Sequence, residues 1–503
     1  MELSNIPTHA DTLVIGGGTA GSIIAGRLAS RTDQKVVLLE AGPDYGSFST
    51  GNWPADLLDG RIVAETHDWG YKSSSKYGLP NHTLERARVI GGCSSHNGSC
   101  AIWGSSVDYD NWAACGNSGW TAEEVLPFFH KANAMLRVRN FKTSEITPFH
   151  KAAINSIVKT GIPKTNNLND LYENSGVDSS PVNIENDNTF NAAFAYLDPV
   201  RENGYLTITG NAFVEKVHIE KTKANSIDVI VNEQSINISA DKIIVCGGAY
   251  ESPCILLRSG IGDPADLDKL GIKTKINLPG VGENLHDHSS ICLKFEGTDL
   301  MSNLMESFIK EGNTIFSEQT IAKAQSKHCR EAFDLHIYPV TGINKNINGK
   351  WDCAIYTANM APLSRGNLTL QGENLLGRPR IDQGYLTDPG GKDVAVLMDG
   401  LEIIRELSNQ EDLANLIGTE LSETSGIIDS NTLRQSAWHY FHPVGTCKMG
   451  PATDSMAVVD SVGKVHGTDN LYVIDASIMP VVPRGNTNLP IAMLAERIVS
   501  TLE

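Results

Sequence analysis

A glycine-rich segment at residues 16–21, GGGTAG, constrains the fold of this chain more than any other feature. It follows the apolar run DTLVI and precedes SIIAGRLASR, whose apolar spacing is typical of a helix. Glycines here allow a tight turn and let the backbone approach a pyrophosphate at the helix N-terminus. The pattern predicts a dinucleotide site, the alternative being a turn with a purely structural role. The motif alone does not separate NAD from FAD.

An acidic residue stands where such a site needs one. Glu40 ends the second apolar run, KVVLLE, 24 positions after Gly16 (40 − 16). A carboxylate at the end of this strand can accept hydrogen bonds from a ribose. The continuous apolar character of both runs is typical of parallel strands that are covered on both faces. Strand, loop, helix, strand and acid together predict a nucleotide domain at the start of the chain.

The rest of the chain alternates between two kinds of hydrophobic pattern. Residues 206–285 and 470–503 continue the α/β style, whereas residues 293–431 contain alternating runs that predict antiparallel strands, followed by a helix through VAVLMDGLEIIREL. The fold class is therefore α/β (α+β), with a Rossmann-type domain built from discontinuous segments and an inserted domain with a largely antiparallel sheet and helices. The predicted boundaries assign residues 1–155, 196–292 and 432–503 to the first domain, and 156–195 and 293–431 to the second.

Charge and composition exclude several classes of partner. The chain has 41 basic and 59 acidic residues, a formal net charge of −18, which repels nucleic acids and anionic membranes. No apolar run approaches the roughly 20 residues that span a bilayer, and the first residues lack the pattern of a signal peptide. Nine scattered cysteines without a CxxC pair suit reduced thiols. We expect a cytoplasmic protein, either a monomer or a homodimer.

Several further segments are similar to one known family. They are residues 86–104 (RARVIGGCSSHNGSCAIWG), 247–262 (GGAYESPCILLRSGIG), 278–288 (LPGVGENLHDH), 442–450 (HPVGTCKMG) and 470–498 (NLYVIDASIMPVVPRGNTNLPIAMLAERI). In this order and spacing they resemble the glucose–methanol–choline (GMC) oxidoreductases. The resemblance covers essentially the whole chain. It implies FAD as the cofactor, a FAD-binding domain with an inserted substrate domain, and oxidation of an alcohol.

The resemblance also implies which residues meet the cofactor. The GGCSSHN segment is most similar to that of choline oxidases, in which the matching histidine carries the flavin covalently. His96 would then bond to the flavin 8α-methyl group through a ring nitrogen; the alternative is a histidine that only packs on a non-covalent flavin. The implied FAD contacts are Gly16, Gly18, Thr19, Ala20, Gly21, Glu40, Ala41, Arg88, Gly92, Ser94, His96, Asn97, Gly98, Val214, Asp475, Ala476, Asn486 and Asn488.

This sequence departs from choline oxidases at two points. Gly98 stands where those enzymes have a serine after His-Asn. The sequence also offers no confident match for the glutamate and aromatic cage that hold a trimethylammonium group. Choline is therefore not implied as the substrate, although alcohol chemistry is.

Two residues match the catalytic pair of the family. An alcohol is a poor hydride donor and its alkoxide a good one, so a base near neutral pKa must reach the hydroxyl group. His442 matches the family's base, and Asn488 matches its partner, where an amide can bind the developing alkoxide. We expect His439 to support the site, with a direct role as the alternative.

Other residues near these motifs have structural interpretations. His286, Asp287 and His288 belong to a family motif thought to be structural, and we predict no metal there, although their side chains are metal ligands in other proteins. Cys447 is expected to be a buried small residue. Pro490 is expected to open the final helix, with Ile491, Leu494, Ile498 and Leu502 as its buried stripe.

The predicted reaction is oxidation of a small primary alcohol to the aldehyde, with hydride transfer to flavin N5 and O2 as the acceptor, giving H2O2. The alternatives are a dehydrogenase with another electron acceptor, a hydroxynitrile lyase on the same fold, and a flavin-binding protein without catalysis. The substrate class stays open among choline-like, pyridoxine-like and hydroxymethyl aromatic alcohols. The inserted segment offers aromatic residues that either line a pocket or fill the core: Phe308, Phe316, Phe333, Tyr338, Trp351 and Tyr356.

Overall fold

A computed structural model describes residues 6–31, 33–75, 79–346, 348–372 and 374–502. The first five residues and residue 503, which belong to the predicted first domain, lie outside this range. The helices are α1 (Thr19–Arg31), α2 (Ala55–Leu58), α3 (Ser106–Ala114), α4 (Ala122–Met135), α5 (Pro148–Lys159), α6 (Gly248–Arg258), α7 (Pro264–Lys269), α8 (Asp299–Lys310), α9 (Lys392–Ser408), α10 (Glu411–Ala414), α11 (Ser422–Ser425), α12 (Ser430–Ser436) and α13 (Asn488–Val499).

The strands are β1 (His9–Ile15), β2 (Val36–Leu39), β3 (Tyr71–Lys72), β4 (Thr83–Leu84), β5 (Arg139–Asn140), β6 (Gly176–Ser179), β7 (Pro181–Val182), β8 (Ile184–Glu185), β9 (Asn188–Thr189), β10 (Leu206–Thr209), β11 (Ala212–Glu220), β12 (Lys223–Val231), β13 (Gln234–Val245), β14 (Ile261–Gly262), β15 (Ile276–Asn277), β16 (Ser289–Gly297), β17 (Thr320–Ala324), β18 (Leu335–Thr341), β19 (Asp352–Asn359), β20 (Asn367–Thr369), β21 (Arg380–Asp382), β22 (Ile417–Glu420), β23 (Trp438–His439) and β24 (Leu471–Val473).

The first sheet carries the nucleotide motif. Its strand order is β10-β2-β1-β13-β12-β11, with β24 on β13. β1 pairs in parallel with β2 and β13, with Ile15 opposite Leu39 and Val245, so the three carboxyl ends lie side by side. All four residues of β2 are buried, as a parallel strand covered on both faces requires. The predicted Rossmann-type architecture is confirmed.

The second sheet is antiparallel throughout and has its own core. Its order is β22-β16-β19-β18-β17-β6, with β23 on β16. Apolar residues of this sheet pack with those of α5, α8 and α9 in a second hydrophobic cluster. The predicted antiparallel insertion is therefore confirmed, although GNLTLQG forms a small separate sheet, β20 with β21. The residue boundaries of the two domains remain a prediction.

The last helix begins earlier than the proline suggested. α13 starts at Asn488, and Pro490 is its third residue, still within the first turn where proline is tolerated. Leu494 and Ile498 are buried, and Leu502 is buried just beyond the helix. Ile491 is only partly buried, because it faces the cavity described below, so its assignment to the buried stripe was wrong. No helix in the described part of the chain is long and apolar enough to cross a membrane.

Candidate active site

A cavity of about 780 Å³ lies where the two sheets meet. Residues from the glycine loop, the 86–100 segment, β11, α6, the inserted sheet and the start of α13 line it. Both expected catalytic residues and most of the implied cofactor contacts line this cavity. Those on its wall are Gly16, Gly18, Thr19, Ala20, Glu40, Ala41, Gly92, His96, Asn97, Gly98, Val214, His442, Asp475, Ala476, Asn486 and Asn488.

Three of the implied contacts lie behind this wall and support it. A Cβ on Gly21 would lie 1.8 Å from the carbonyl oxygen of Gly16, so only glycine lets α1 pack against the loop. The Ser94 hydroxyl donates to the Gly91 carbonyl and accepts from the Ala192 amide. Arg88 donates from Nε to the carbonyl of Ala41 and stacks on the Trp69 ring.

The glycine loop approaches a second glycine segment without intervening side chains. Gly16 has a φ of +99°, a region that side chains other than glycine rarely adopt. Gly92 also has a positive φ, and a Cβ there would lie 2.6 Å from the Cα of Gly18. Both loops line the cavity, so their bare backbone forms one of its walls.

Two buried carboxylates hold the loops around the cavity. Glu40 accepts from the amides of Gly17 and Gly42, both at 2.8 Å, and burial raises the pKa of its carboxyl to about 7. Asp475 accepts from the Gly248 amide at 2.8 Å and from the hydroxyl of Ser252, and burial raises its pKa as well. Each carboxylate fixes a loop and reaches the cavity wall.

His96 closes a short 3-10 helix, Gly92–Ser95, and lines the cavity. Its Nε2 lies 2.8 Å from the carbonyl oxygen of Thr66. Because a carbonyl only accepts, Nε2 carries the proton, and Nδ1 is left with the lone pair. Burial is the main cause that lowers the pKa of His96, which keeps the ring neutral. A neutral ring with one free nitrogen is the nucleophilic form of histidine.

His442 is held by the motif that the sequence suggested was only structural. Asp287 accepts the backbone N–H of His442 at 2.8 Å, and Nδ1 of His442 lies 2.9 Å from Nδ1 of His288. Burial, then the neighbouring His288 and Arg86, hold the pKa of His442 well below its ordinary value of 6.5. His442 is therefore neutral at pH 7 and leaves Nε2 for a ligand.

The Asp287, His288 and His442 side chains are close enough to be metal ligands. Both Asp287 oxygens and the Nδ1 atoms of the two histidines already have hydrogen-bond partners. The second carboxylate oxygen of Asp287 accepts from the Tyr385 hydroxyl at 2.8 Å, and the two Nδ1 atoms lie at hydrogen-bond distance. These bonds favour a hydrogen-bonded cluster, and the absence of a metal stays a prediction.

The neighbouring histidines have separate partners. His439 is buried and pairs with Glu85, with Nε2 and Oε2 3.3 Å apart. This contact is the main cause that lowers the pKa of Glu85 to about 2. His286 donates from Nδ1 to the Asn284 carbonyl and accepts the Val482 amide at Nε2. Both rings support the fold around His442, and His439 also lines the cavity. Cys447 is fully buried, as expected.

Asn488 is oriented by the glycine-loop helix. The Thr19 hydroxyl donates to Oδ1 of Asn488 at 2.9 Å. Nδ2 of Asn488 is buried and has no hydrogen-bond partner among the described residues. Since the oxygen is used, the amide offers its N–H group to the cavity, at the first residue of α13. The neighbouring Asn486 accepts from the Cys100 thiol.

A carboxyl group that the sequence analysis missed also lines the cavity. Glu318 makes no hydrogen bond or ion pair with the described part of the chain, and burial raises its pKa to about 7. A Cβ on Gly98 would lie 3.3 Å from Oε2 of Glu318, so the absence of a side chain at Gly98 leaves room for this carboxylate. No sequence motif marks Glu318; only the fold brings it here.

Three tyrosine rings surround this carboxylate. Tyr338 stacks on Tyr356 and on Tyr440, with ring centroids 4.9 Å apart in both pairs. Burial is the main cause that raises the pKa of each tyrosine, and the Glu318 charge acts in the same direction on all three. The carboxylate therefore lies beside an aromatic wall.

Of the six aromatic residues that the sequence analysis named as candidate pocket residues, two line the cavity. Tyr338 and Tyr356 do so. The other four are buried in hydrophobic clusters behind it, which makes the core interpretation correct for them: Phe308, Phe316, Phe333 and Trp351.

The residues present fit FAD. Glycine backbone, a buried acid after β2 and, at the start of α13, an amide donor without a partner among the described residues all line one cavity. The glycine backbone and the N-terminus of α1 would hold the pyrophosphate and Glu40 the ribose. The N-terminus of α13 would face the part of the flavin that gains negative charge on reduction.

Comparison with known proteins identifies the family. A family model described as GMC oxidoreductase matches residues 10–290, and a second of the same description matches residues 362–495. The chain is 32% identical to an oxygen-dependent choline dehydrogenase of Pseudomonas fluorescens. The alignment is 538 residues long with its gaps and covers 98% of this chain and 93% of the relative.

Solved structures show the same fold. A pyridoxine 4-oxidase from Mesorbium loti has a TM-score of 0.85 and 25% identity, covering 98% of each chain. A formate oxidase has a TM-score of 0.85 and 20% identity, covering 99% of this chain and 98% of its own.

Proposed function

This chain belongs to the GMC oxidoreductase family and is an FAD-dependent oxidoreductase, and we propose that it oxidises a small primary alcohol to the aldehyde. The observation that carries the proposal is His442, a neutral base with a free Nε2 on the wall of the cofactor cavity, which the amide of Asn488 also lines. We take O2 as the acceptor, with H2O2 as the product, supported by the oxygen-dependent relative.

The protein's own groups carry the proton and orient the substrate. Nε2 of His442 accepts the hydroxyl proton, which converts the alcohol into an alkoxide. Nδ2 of Asn488 donates a hydrogen bond to the oxygen as its charge develops, and Thr19 holds the amide in that orientation. FAD, which the glycine backbone and Glu40 would hold, would supply the two-electron acceptor for the hydride of the alcohol carbon.

We propose that the substrate carries a cationic nitrogen. Glu318 is a carboxyl group without a partner in the described part of the chain, and three tyrosine rings line the same cavity. A cation would pair with the carboxylate and contact the ring faces, which attract positive charge. The names of two relatives, choline dehydrogenase and pyridoxine 4-oxidase, support this class, because choline is a quaternary ammonium alcohol and pyridoxine contains a protonatable ring nitrogen.

Replacing Glu318 with glutamine should separate charged from uncharged substrates. We expect kcat/KM for choline to fall about 10- to 100-fold, the cost of losing one charge-assisted contact in a buried site. The value for its uncharged tert-butyl isostere should change little, which makes the isostere the matched control. Equal losses for both alcohols would contradict a cation-binding role.

The same carboxyl gives a pH dependence with a defined sign. A carboxyl is charged above its pKa, which is about 7 for Glu318. For a cationic alcohol, kcat/KM should therefore fall as the pH drops through about 7, and E318Q should lose this limb. The uncharged isostere should not show it in either protein.

We propose that FAD is bonded covalently to Nδ1 of His96, the nitrogen that the Thr66 carbonyl leaves free. Acid precipitation should give a yellow, fluorescent pellet from the wild type and a colourless one from His96→Ala. Intact-protein mass spectrometry should show the wild-type chain heavier by the mass of the bonded FAD. Release of all flavin into the acid supernatant would contradict the bond and leave alcohol oxidation open.

An aerobic screen of alcohols with peroxide detection tests the acceptor. An oxidase should give one H2O2 per aldehyde without an added acceptor. Aldehyde formation that requires an artificial acceptor would identify a dehydrogenase instead. A hydroxynitrile lyase would form neither peroxide nor reduced acceptor.

We also propose a cytoplasmic location. Its support is the set of nine cysteines, all of them free in the structure, which suits a reducing compartment.

A further inference from the structure

The base of the proposed reaction has another histidine as its direct partner. Nδ1 of His442 and Nδ1 of His288 are 2.9 Å apart, and both rings are buried. Their planes are nearly perpendicular, at 88°. Nothing in the sequence comparison assigns a role to His288.

Both rings are neutral, so the bond between them contains one proton. Burial, followed by the charge of Arg484, lowers the pKa of His288 to about 3, and burial holds that of His442 well below 6.5. A neutral imidazole has one N–H group and one lone pair. If both Nδ1 atoms carried hydrogen they would repel, and if neither did, no bond would form. One ring donates, and the other accepts.

The two arrangements give His442 opposite properties. If His288 donates from Nδ1, the proton of His442 is on Nε2, and the nitrogen facing the cavity cannot accept another. If His442 donates from Nδ1, its Nε2 has the lone pair and can act as a base. The direction of this single hydrogen bond therefore decides whether the site can remove a proton.

The surroundings of His288 favour the second arrangement. When His288 accepts at Nδ1, its own proton is on Nε2. The backbone carbonyls of Met360 and Pro483 raise the pKa of His288, the direction expected of carbonyl oxygens near a ring N–H group. Nδ1 of His288 is engaged with His442, so Nε2, which is buried and forms no direct hydrogen bond with the described residues, is the nitrogen left for these carbonyls. An acceptor environment around Nε2 requires Nε2–H.

We propose that His288 is a positioning residue that fixes the tautomer of His442, keeping Nδ1–H on His442 and its Nε2 lone pair directed to the cavity. The inference rests on the proposed role of His442 as the base. His288 itself does not touch the substrate; it acts through its Nδ1 atom, and the Met360 and Pro483 carbonyls act through its Nε2 atom.

Three substitutions at His288 separate this role from simple packing. Asparagine places its amide close to the position of Nδ1 and can accept from His442. Glutamine places its amide closer to the position of Nε2, and leucine has no polar atom. The holoenzymes are compared for FAD content and thermal stability, and then for the rate of anaerobic flavin reduction by the best alcohol of the screen.

We expect flavin reduction in His288→Leu and His288→Gln to be roughly 10- to 100-fold slower than in wild type. This is the usual cost of losing one buried hydrogen bond, here the bond between His288 and His442. His288→Asn should recover most of the rate. Equal rates in wild type and His288→Leu would overturn the proposal, as would equal losses in the asparagine and glutamine variants with comparable FAD content. A wild type that no alcohol reduces would instead refute the proposed function.

A second readout does not depend on turnover. Nitrogen-15 NMR of histidine-labelled protein distinguishes a protonated from an unprotonated ring nitrogen, and His442→Gln assigns the signals. We expect Nδ1–H and an unprotonated Nε2 on His442 in the wild type and in His288→Asn, and loss of this pattern in His288→Leu. Nε2–H on His442 in the wild type would overturn the proposal even if the variants were unstable.

Discussion

Replacing His442 with alanine is expected to slow anaerobic reduction of FAD by an alcohol roughly 10²–10⁴-fold, the usual contribution of a positioned general base. The variant should still bind FAD, because the glycine backbone and Glu40 are unchanged. Stopped-flow absorbance of the flavin measures the rate directly. His439→Ala is the matched control: His439 also lines the cavity but pairs with Glu85, so its loss should cost much less.

The pH dependence of the same step follows from the position of His442. Burial holds its pKa well below 6.5, and a base is active above its pKa. With saturating alcohol, wild-type flavin reduction should therefore stay constant from neutral to alkaline pH and fall only on the acid side, below pH 6.5. His442→Ala should lack this acid limb. Reduction of H442A at nearly the wild-type rate would contradict the assignment and make His439 the candidate base.

Replacing Asn488 with alanine should slow flavin reduction by roughly 10²–10³-fold, as for one lost donor to a developing oxyanion. Nδ2 of Asn488 has no partner among residues that the structure describes, so its hydrogen bond is available to the alcohol oxygen. The loss should appear in flavin reduction and not in reoxidation by O2, because the alkoxide exists only in the first half of the reaction.

Thr19→Val provides the control for the orientation of that amide. It removes the hydroxyl that binds Oδ1 of Asn488 and keeps nearly the same shape. We expect a loss in the same half-reaction, smaller than that of Asn488→Ala. An Asn488→Ala enzyme with full FAD content and a wild-type rate of flavin reduction would exclude a role in binding the alkoxide.

The sequence predicts best those features that are local. The glycine loop, Glu40 and the strand before them are fixed by residues 9–40, since backbone conformation and short-range pairing decide their geometry. The antiparallel insertion was also predictable from its alternating runs. The predicted first residue of the final helix, Pro490, was wrong, because the helix starts at Asn488. Proline is tolerated anywhere in the first turn and therefore does not define the first residue.

The role of His288 could not be read from its motif, because it depends on pairing between distant segments. β16 lies antiparallel to β23, with Ser289 opposite His439. This register brings the end of the 278–288 segment beside residues 439–442 and places His288 against His442. A motif that looks structural in the sequence thus holds the proposed base.

Glu318 was missed for a similar reason. It stands just before β17 in a segment without a motif, and its neighbours come from β18, β19 and the segment after β23. The register that sets Tyr338 opposite Tyr356 decides which aromatic residues face the cavity. Periodicity predicts that such strands exist, but it does not determine how they pair.

Anaerobic titration of the purified holoenzyme with primary alcohols, choline and pyridoxine among them, tests the proposed oxidation most directly. An alcohol that is a substrate should bleach the oxidised flavin spectrum and yield one aldehyde per FAD, and deuterium on its reacting carbon should slow the bleaching. A flavin spectrum that no alcohol changes, in an enzyme with full FAD content, would contradict the function proposed for this cavity.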